Sequence, residues 1–149
     1  MLPYFTKTTE MVQYLIDLIN SNLNVTTPPI AKVYYGAEDL IPDFPAVAVI
    51  GARRDRQVDG THRYQITLRA DVVVYHEVIQ SATLTRQEVD EQAEAVEDLL
   101  LANNHCTVNG IDKVIFGSVS QIEPGRAAFG TELAQASRLR WEALSRQEF

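Results

Sequence analysis

Few side chains in this sequence stand at the spacings that chemistry requires. His76-Glu77-Val78-Ile79-Gln80 is one residue short of HExxH, a zinc signature that needs both ligands on one face of a helix. Gln80 is a poor zinc ligand, and the segment follows a strand-like stretch, so no metal site is expected there. Gly117-Ser118-Val119-Ser120 misses the GxSxG spacing of a nucleophile elbow. No GxxxxGK[ST] and no GxGxxG occurs, so the glycine-rich backbone that cradles nucleotide phosphates is missing. His62 and His76 fall at opposite ends of one predicted strand, about 45 Å apart if it is straight. His105 beside Cys106 reads as a loop histidine next to a buried thiol. The expectation is no catalytic residue, no metal and no cofactor.

Two charged features remain. Arg53, Arg54, Arg56 and Arg63 flank Asp59-Gly60, the strongest hairpin signal in the chain, since a two-residue turn there needs positive φ at both positions. The pattern predicts a long projecting β-arm, exposed and carried clear of the core, with a basic tip. Such charges protect an exposed strand from edge-to-edge pairing, and they equally suit a partner, because guanidinium groups bind carboxylates in pairs of hydrogen bonds. The second feature is opposite in sign. Glu88, Asp90, Glu91, Glu94, Glu97 and Asp98 follow Arg86, the single cation of that segment. Glu94 and Asp98 form a like-charge i,i+4 pair, which costs about 0.2–0.5 kcal/mol on a helix. Glu97 and Asp98 also lie near the end of the helix that the dipole makes unfavourable for anions. Glu94, Glu97 and Asp98 form a candidate acidic surface.

The elements that must position these groups follow from periodicity. Met11, Tyr14, Leu15, Leu18 and Ile19 recur at helical steps, with Thr8 and Thr9 as candidate caps. Asn20-Ser21-Asn22 frays this helix and Pro28-Pro29 forbids its continuation. Ile30 to Tyr35 reads as a strand, Gly36 to Pro45 as a loop, and Ala46 to Gly51 as a second strand. A long strand leaves the hairpin turn with Tyr64, Ile66, Leu68, Ala70, Val72 and Val74 on one face and Arg63, Gln65, Thr67, Arg69 and Asp71 on the other. That polar face turns apolar at Val73 and Tyr75, so this end is expected to lie under the second helix or a subunit contact. Thr85-Arg86-Gln87-Glu88 is a capping box, and Val89, Ala93, Val96, Leu99 and Leu100 form the inner stripe of the helix it opens. A short strand near Thr107 and a turn at Asn109-Gly110 precede a strand within Ile111 to Ile122, which Glu123-Pro124-Gly125 is expected to end. Ser137, Leu139, Trp141 and Ala143 alternate with Arg138, Arg140 and Glu142, the period of a strand.

The result is an α+β fold with an antiparallel β-sheet and two main helices packed on it, in the order α-β-β-β-α-β-β. The 149 residues, 46% apolar and 22% charged, make one globular domain spanning 1–149. The single cysteine excludes an internal disulfide framework and fits a reducing cytosol. No apolar run approaches the roughly 18 residues of a membrane span, and the first residues lack the basic-then-apolar pattern of a signal peptide. Lys+Arg 13 against Asp+Glu 20 gives a net charge of −7, which argues against holding nucleic acid by phosphate neutralisation.

This order and length, with the Phe44-Pro45-Ala46-Val47-Ala48-Val49 segment, the charged arm, the long strand, the capped helix and the C-terminal strands, resembles the tail terminator and tail-completion proteins of long-tailed bacteriophages. The resemblance covers nearly the whole chain and is one of architecture, without a diagnostic motif. It implies a structural virion protein, not an enzyme: a hexameric ring that stops growth of the tail tube and joins the tail to the neck and head. It implies a homo-oligomer contacting the tail tube protein and a neck or head-completion protein, assembled in the host cytoplasm, with the arm engaging the tube or a neighbour and DNA passing the lumen without specific binding. Another phage neck component, such as a head-completion or stopper protein, is the nearest alternative; a small α+β enzyme or ligand-binding domain is the next.

Overall fold

Helix α1 (Thr8–Asn20) buries Met11, Val12, Leu15, Ile16 and Ile19, with Tyr14 and Leu18 packed at the margin of the same core. The computed structural model describes residues 7–36, 43–58, 60, 63–103, 107–108, 111–112, 116–129 and 131–148. Thr8 and Thr9 lie inside this helix and do not cap it; the N-cap position is Lys7, and no side chain caps it. Thr8 has another role. A Cβ added at Gly51 would collide with Thr8 Cγ2, so the glycine lets the first turn of α1 lie directly on the sheet.

The main sheet comprises β1 (Lys32–Tyr35), β2 (Ala46–Val58), β3 (Arg63–Val78), β6 (Phe116–Phe129) and β7 (Glu132–Glu148), in the spatial order β1-β2-β3-β7-β6. Helix α2 (Arg86–Ala102) and a two-stranded pair, β4 (Thr107–Val108) and β5 (Ile111–Asp112), lie between β3 and β6 in sequence. The fold is α+β in the order α-β-β-β-α-β-β, with β4 and β5 as an insertion. All neighbours in the main sheet are antiparallel except β1, which runs parallel to β2 at one edge. Ile30 and Ala31 precede β1 and donate their amides to Leu23 and Pro45.

Two strands run on where composition suggested an end. Strand β2 does not stop at Gly51 but continues through the arginine run to Val58. Beyond Val49 it has no neighbour on its outer side among the described residues, so both of its faces can carry charge without burying it. Strand β6 likewise crosses Glu123-Pro124-Gly125. Proline is tolerated because β6 is an edge strand, where one side forms no ladder bonds.

Both helices cover one sheet face. Between them and the sheet lie Val47, Val49, Val72, Val74, Leu139 and Trp141, all fully buried. The opposite face carries a smaller apolar cluster of Tyr34, Ala46, Ala48, Tyr75, Phe129 and Ala136 at one end. Among the described residues no helix is long and apolar enough to cross a membrane.

Candidate functional site

The hairpin of β2 and β3 is the predicted arm. Their last described pair is Val58 and Tyr64, so the connection is longer than a two-residue Asp59-Gly60 turn, which would set Val58 opposite residue 61. Gly60 has φ +96°, a conformation that favours glycine. Asp59, the side chain of Arg63, His62, His105 and Cys106 lie outside the described residues.

The arm is a three-stranded blade, not a free hairpin. β7 pairs with β3 along its whole length, from Ala134 opposite Val78 to Glu148 opposite Arg63. One face of the blade is core: Ile66, Leu68 and Ser145 are fully buried. The expectation that the arm stands clear of the core is therefore corrected. Its outer edge, β2 beyond Ile50, is exposed along most of its length.

A bulge between Gly51 and Arg53 shifts the register of β2 and inverts its alternation, so that Arg54 and Arg56 share the face of Val47 and Val49 while Arg53 takes the other. Arg53 joins a charge ladder on the helix-free face: Arg53 Nε bonds Asp55 Oδ1 at 2.9 Å, Arg69 Nε bonds Glu142 Oε2 at 3.0 Å, and Arg138 bonds Glu123 at 2.8 Å. The Arg138 guanidinium beside it holds the Glu123 carboxyl below the usual carboxylate range. Arg56 lies on the other face, its guanidinium 5.2 Å from the centre of the Tyr64 ring, a cation–π distance. Arg54 shares that face. The arginines thus line an edge rather than cluster at a tip.

Val73 and Tyr75 lie on the helix-free face. Tyr75 is covered by the Phe129 ring, edge-on with centroids 5.0 Å apart, and Phe44 meets Phe129 at 6.3 Å. Cover for Tyr75 comes from β6 and the Phe44 loop of the same chain, not from α2. Val73 and Tyr75 also floor a groove of about 320 Å³ rimmed by Glu123 and Arg138.

The acidic helix follows its sequence reading at the cap. Thr85 Oγ1 accepts from the Glu88 amide at 3.2 Å and Glu88 Oε1 accepts from the Thr85 amide at 3.1 Å. Glu94 and Asp98 are exposed and Glu97 is partly buried. The one ion pair described on this helix is Arg86 with Asp90, at 3.3 Å.

Sequence reasoning missed one constellation. His76 continues the inward alternation of Val72 and Val74 and reaches α2 from a bulge between Tyr75 and Glu77. His76 Nδ1 is 2.8 Å from Gln92 Oε1, and His76 Nε2 is 2.8 Å from Ser137 Oγ. Gln92 Nε2 donates to the Thr27 carbonyl at 3.1 Å. An amide oxygen only accepts, so Nδ1 carries the proton and Nε2 accepts from the serine hydroxyl. Burial lowers the pKa of His76, against opposing contributions from the Gln92 bond and from Asp90 and Glu77, which favours the neutral ring this pattern requires.

A serine, a histidine and an orienting third group in line have the connectivity of a nucleophile relay. Here the third group is an uncharged amide, and all three side chains are buried, beneath a helix that a substrate would have to displace. The arrangement ties β3, β7, α2 and the Thr27 segment together. Two signals for it were readable: a glutamine at an inward position between Val89 and Val96, and Ser137 on the inner face of the β7 alternation.

The HExxQ residues have separate roles. Glu77 accepts from the Thr83 and Leu84 amides at 3.0 and 2.8 Å, fixing the turn before α2, while Gln80 is exposed. Among the described residues no group of three His, Cys, Asp or Glu side chains converges. No protein-family model matches the chain, and no curated protein is significantly similar to it.

Proposed function

We propose that this protein is a structural component of a bacteriophage tail, a ring-forming terminator that caps the tail tube and joins it to the neck. The observation that carries the reading is the arm: β2 runs from Ile50 to Val58 beyond its last parallel neighbour, on a rigid blade whose inner face is core. A strand held in this way offers backbone groups and arginine side chains to another protein at a fixed angle, which suits assembly. An edge bearing three arginines resists uncontrolled pairing, so a partner must match its charge.

The net charge of −7 supports the passage of DNA through a ring without retention, since neutralising phosphates requires surplus cations. On this reading the protein assembles as a homo-hexamer in the host cytoplasm, contacts the tube protein on one face and a neck or head-completion protein on the other, and ends in the virion. It holds no cofactor and catalyses no reaction. Mass in solution and negative-stain images test the proposal, together with addition of the protein to growing tail tubes. Rings that cap the tubes are expected. A compact monomer that leaves tube growth unchecked overturns it.

A further inference from the structure

One flank of α2 faces the segment that follows α1. A groove of about 360 Å³ runs there, with Val25 and Ala95 as apolar walls, Glu88 and Glu91 at the rim and Gln92 in the floor. No cation lines it among the described residues. Glu88 uses Oε1 for the Thr85 amide, and Glu91 uses Oε1 for Gln87 Nε2. Each keeps its second oxygen without a hydrogen-bond partner among the described residues. The floor is rigid, because Gln92 is held by His76 on one side and the Thr27 carbonyl on the other. An acidic groove with apolar walls fits a guanidinium on its methylene stem: the stem packs on the walls and the fork binds the carboxylates.

The chain itself supplies arginines of the right placement. Arg54 and Arg56 lie on one face of the exposed β2 edge, about 7 Å apart along the strand. They cannot enter their own groove. Arg56 is opposite Ile66 on β3, while the groove floor is bonded to His76. Ten residues of β3 separate these positions, about 33 Å. Arm and groove are thus at opposite ends of the longest axis of the sheet.

We propose that the groove between α2 and residues 25–27 receives Arg54 and Arg56 from the β2 edge of a second copy, joining copies head to tail. Donor and receiver are different surfaces, so the contact is heterologous and closes into a ring when its rotation allows. Pairing two β2 edges instead sets arginine against arginine, which disfavours a two-fold dimer. The inference rests on the ring reading and adds to it the surfaces that build the ring.

Sedimentation equilibrium of the full chain tests it. Arg54→Glu/Arg56→Glu and Glu91→Arg should each weaken self-association at least tenfold while retaining the wild-type circular dichroism. Combining the three changes in one chain should recover part of the association, because the charge at position 91 is again opposite to that of the arm while Glu88 still repels it. Glu94→Arg, on the same helix but outside the groove, should leave the mass unchanged. If Glu91→Arg does not fold, Glu91→Gln is expected to weaken association in the same direction. A folded Arg54→Glu/Arg56→Glu protein with wild-type association overturns the inference and leaves the ring reading standing. So does disruption by Glu94→Arg equal to that by Glu91→Arg. A wild-type chain that stays monomeric at every concentration overturns both.

Discussion

His76 and Gln92 meet at 2.8 Å beneath α2, one from the inner face of β3 and the other from the inner face of the helix. Both are buried, and their bond holds a neutral imidazole inside the protein. A charged imidazolium at this position loses its water and finds no carboxylate within hydrogen-bonding distance among the described residues.

That burial makes stability depend on pH in a defined window. The pKa of His76 is lowered in the folded chain relative to an unfolded value of about 6.5. Between the two values the unfolded chain binds the extra proton, so stability rises with pH there. The contribution is complete above about pH 6.5 and is lost as pH falls through and below it. Melting temperature measured from pH 7.5 to 5.5 should decline, and His76→Gln should flatten the slope. Glu123, whose pKa is lowered by Arg138, acts in a separate acid window: its contribution is present above the unfolded carboxylate value and lost as pH falls below it. An equal slope in wild type and His76→Gln contradicts the assignment.

Gln92→Leu removes the acceptor of His76 Nδ1 and the donor to the Thr27 carbonyl together. An unsatisfied buried polar group costs about 1–3 kcal/mol. Thr27 is exposed, so water can take its carbonyl, and chemical denaturation should show a loss of about 1–3 kcal/mol from His76 alone. Ser137→Ala removes one hydroxyl from the same network and should cost less. A Gln92→Leu protein as stable as wild type shows that water satisfies these groups.

Phe129 covers Tyr75 from a strand that the Glu123-Pro124-Gly125 sequence was expected to have ended. Phe129→Ala should cost about 3 kcal/mol, the lower part of the range for a buried phenylalanine, because the groove beside Tyr75 and Ala136 lets solvent reach part of the space. Equilibrium urea unfolding measures it. A change within about 0.5 kcal/mol, as for an ordinary surface site, would mean that the aromatic cluster contributes nothing to folding.

The elements most legible in the sequence are those whose signal is local. The capping box at Thr85 and Glu88, the stripes of Met11, Leu15 and Ile19 and of Val89, Val96 and Leu100, and the alternation of Leu139, Trp141 and Ala143 are each set by neighbours within a few residues. The ends of β2 and β6 are not local. Whether Arg53 or Pro124 interrupts a strand depends on whether that strand is an edge, which the order β1-β2-β3-β7-β6 decides through distant pairings. The buried polar network was hidden for a related reason. Alternation from Val72 and Val74 puts His76 on the inner face, but its partners lie on α2 and β7, and only packing between distant segments brings the three together. The arginines flanking the turn were legible as an exposed feature. Which face each one takes was not, because a bulge beside Gly51 inverts the alternation that Val47 and Val49 begin.

Arg56 and Ile66 provide the sharpest test of what the arm is. They are direct partners across β2 and β3, yet Arg56 is exposed and Ile66 is 0% exposed. If the arm were a hairpin free of the core, neither residue would contribute much to folding, and truncating either would change stability little. A blade with one buried face predicts an asymmetric result instead. Ile66→Ala should cost about 2–5 kcal/mol, the range for losing a buried branched side chain and leaving a cavity. Arg56→Ala removes a solvent-exposed guanidinium from the Tyr64 ring and should cost about 0.5–1 kcal/mol, as exposed cation–π contacts do. Self-association should reverse this order: Arg56→Ala weakens it in the folded protein, and Ile66→Ala leaves it intact in the fraction that remains folded. Urea unfolding and sedimentation of the two variants together decide the matter. Equal small losses for both return the arm to a free hairpin, and equal large losses place Arg56 inside the core.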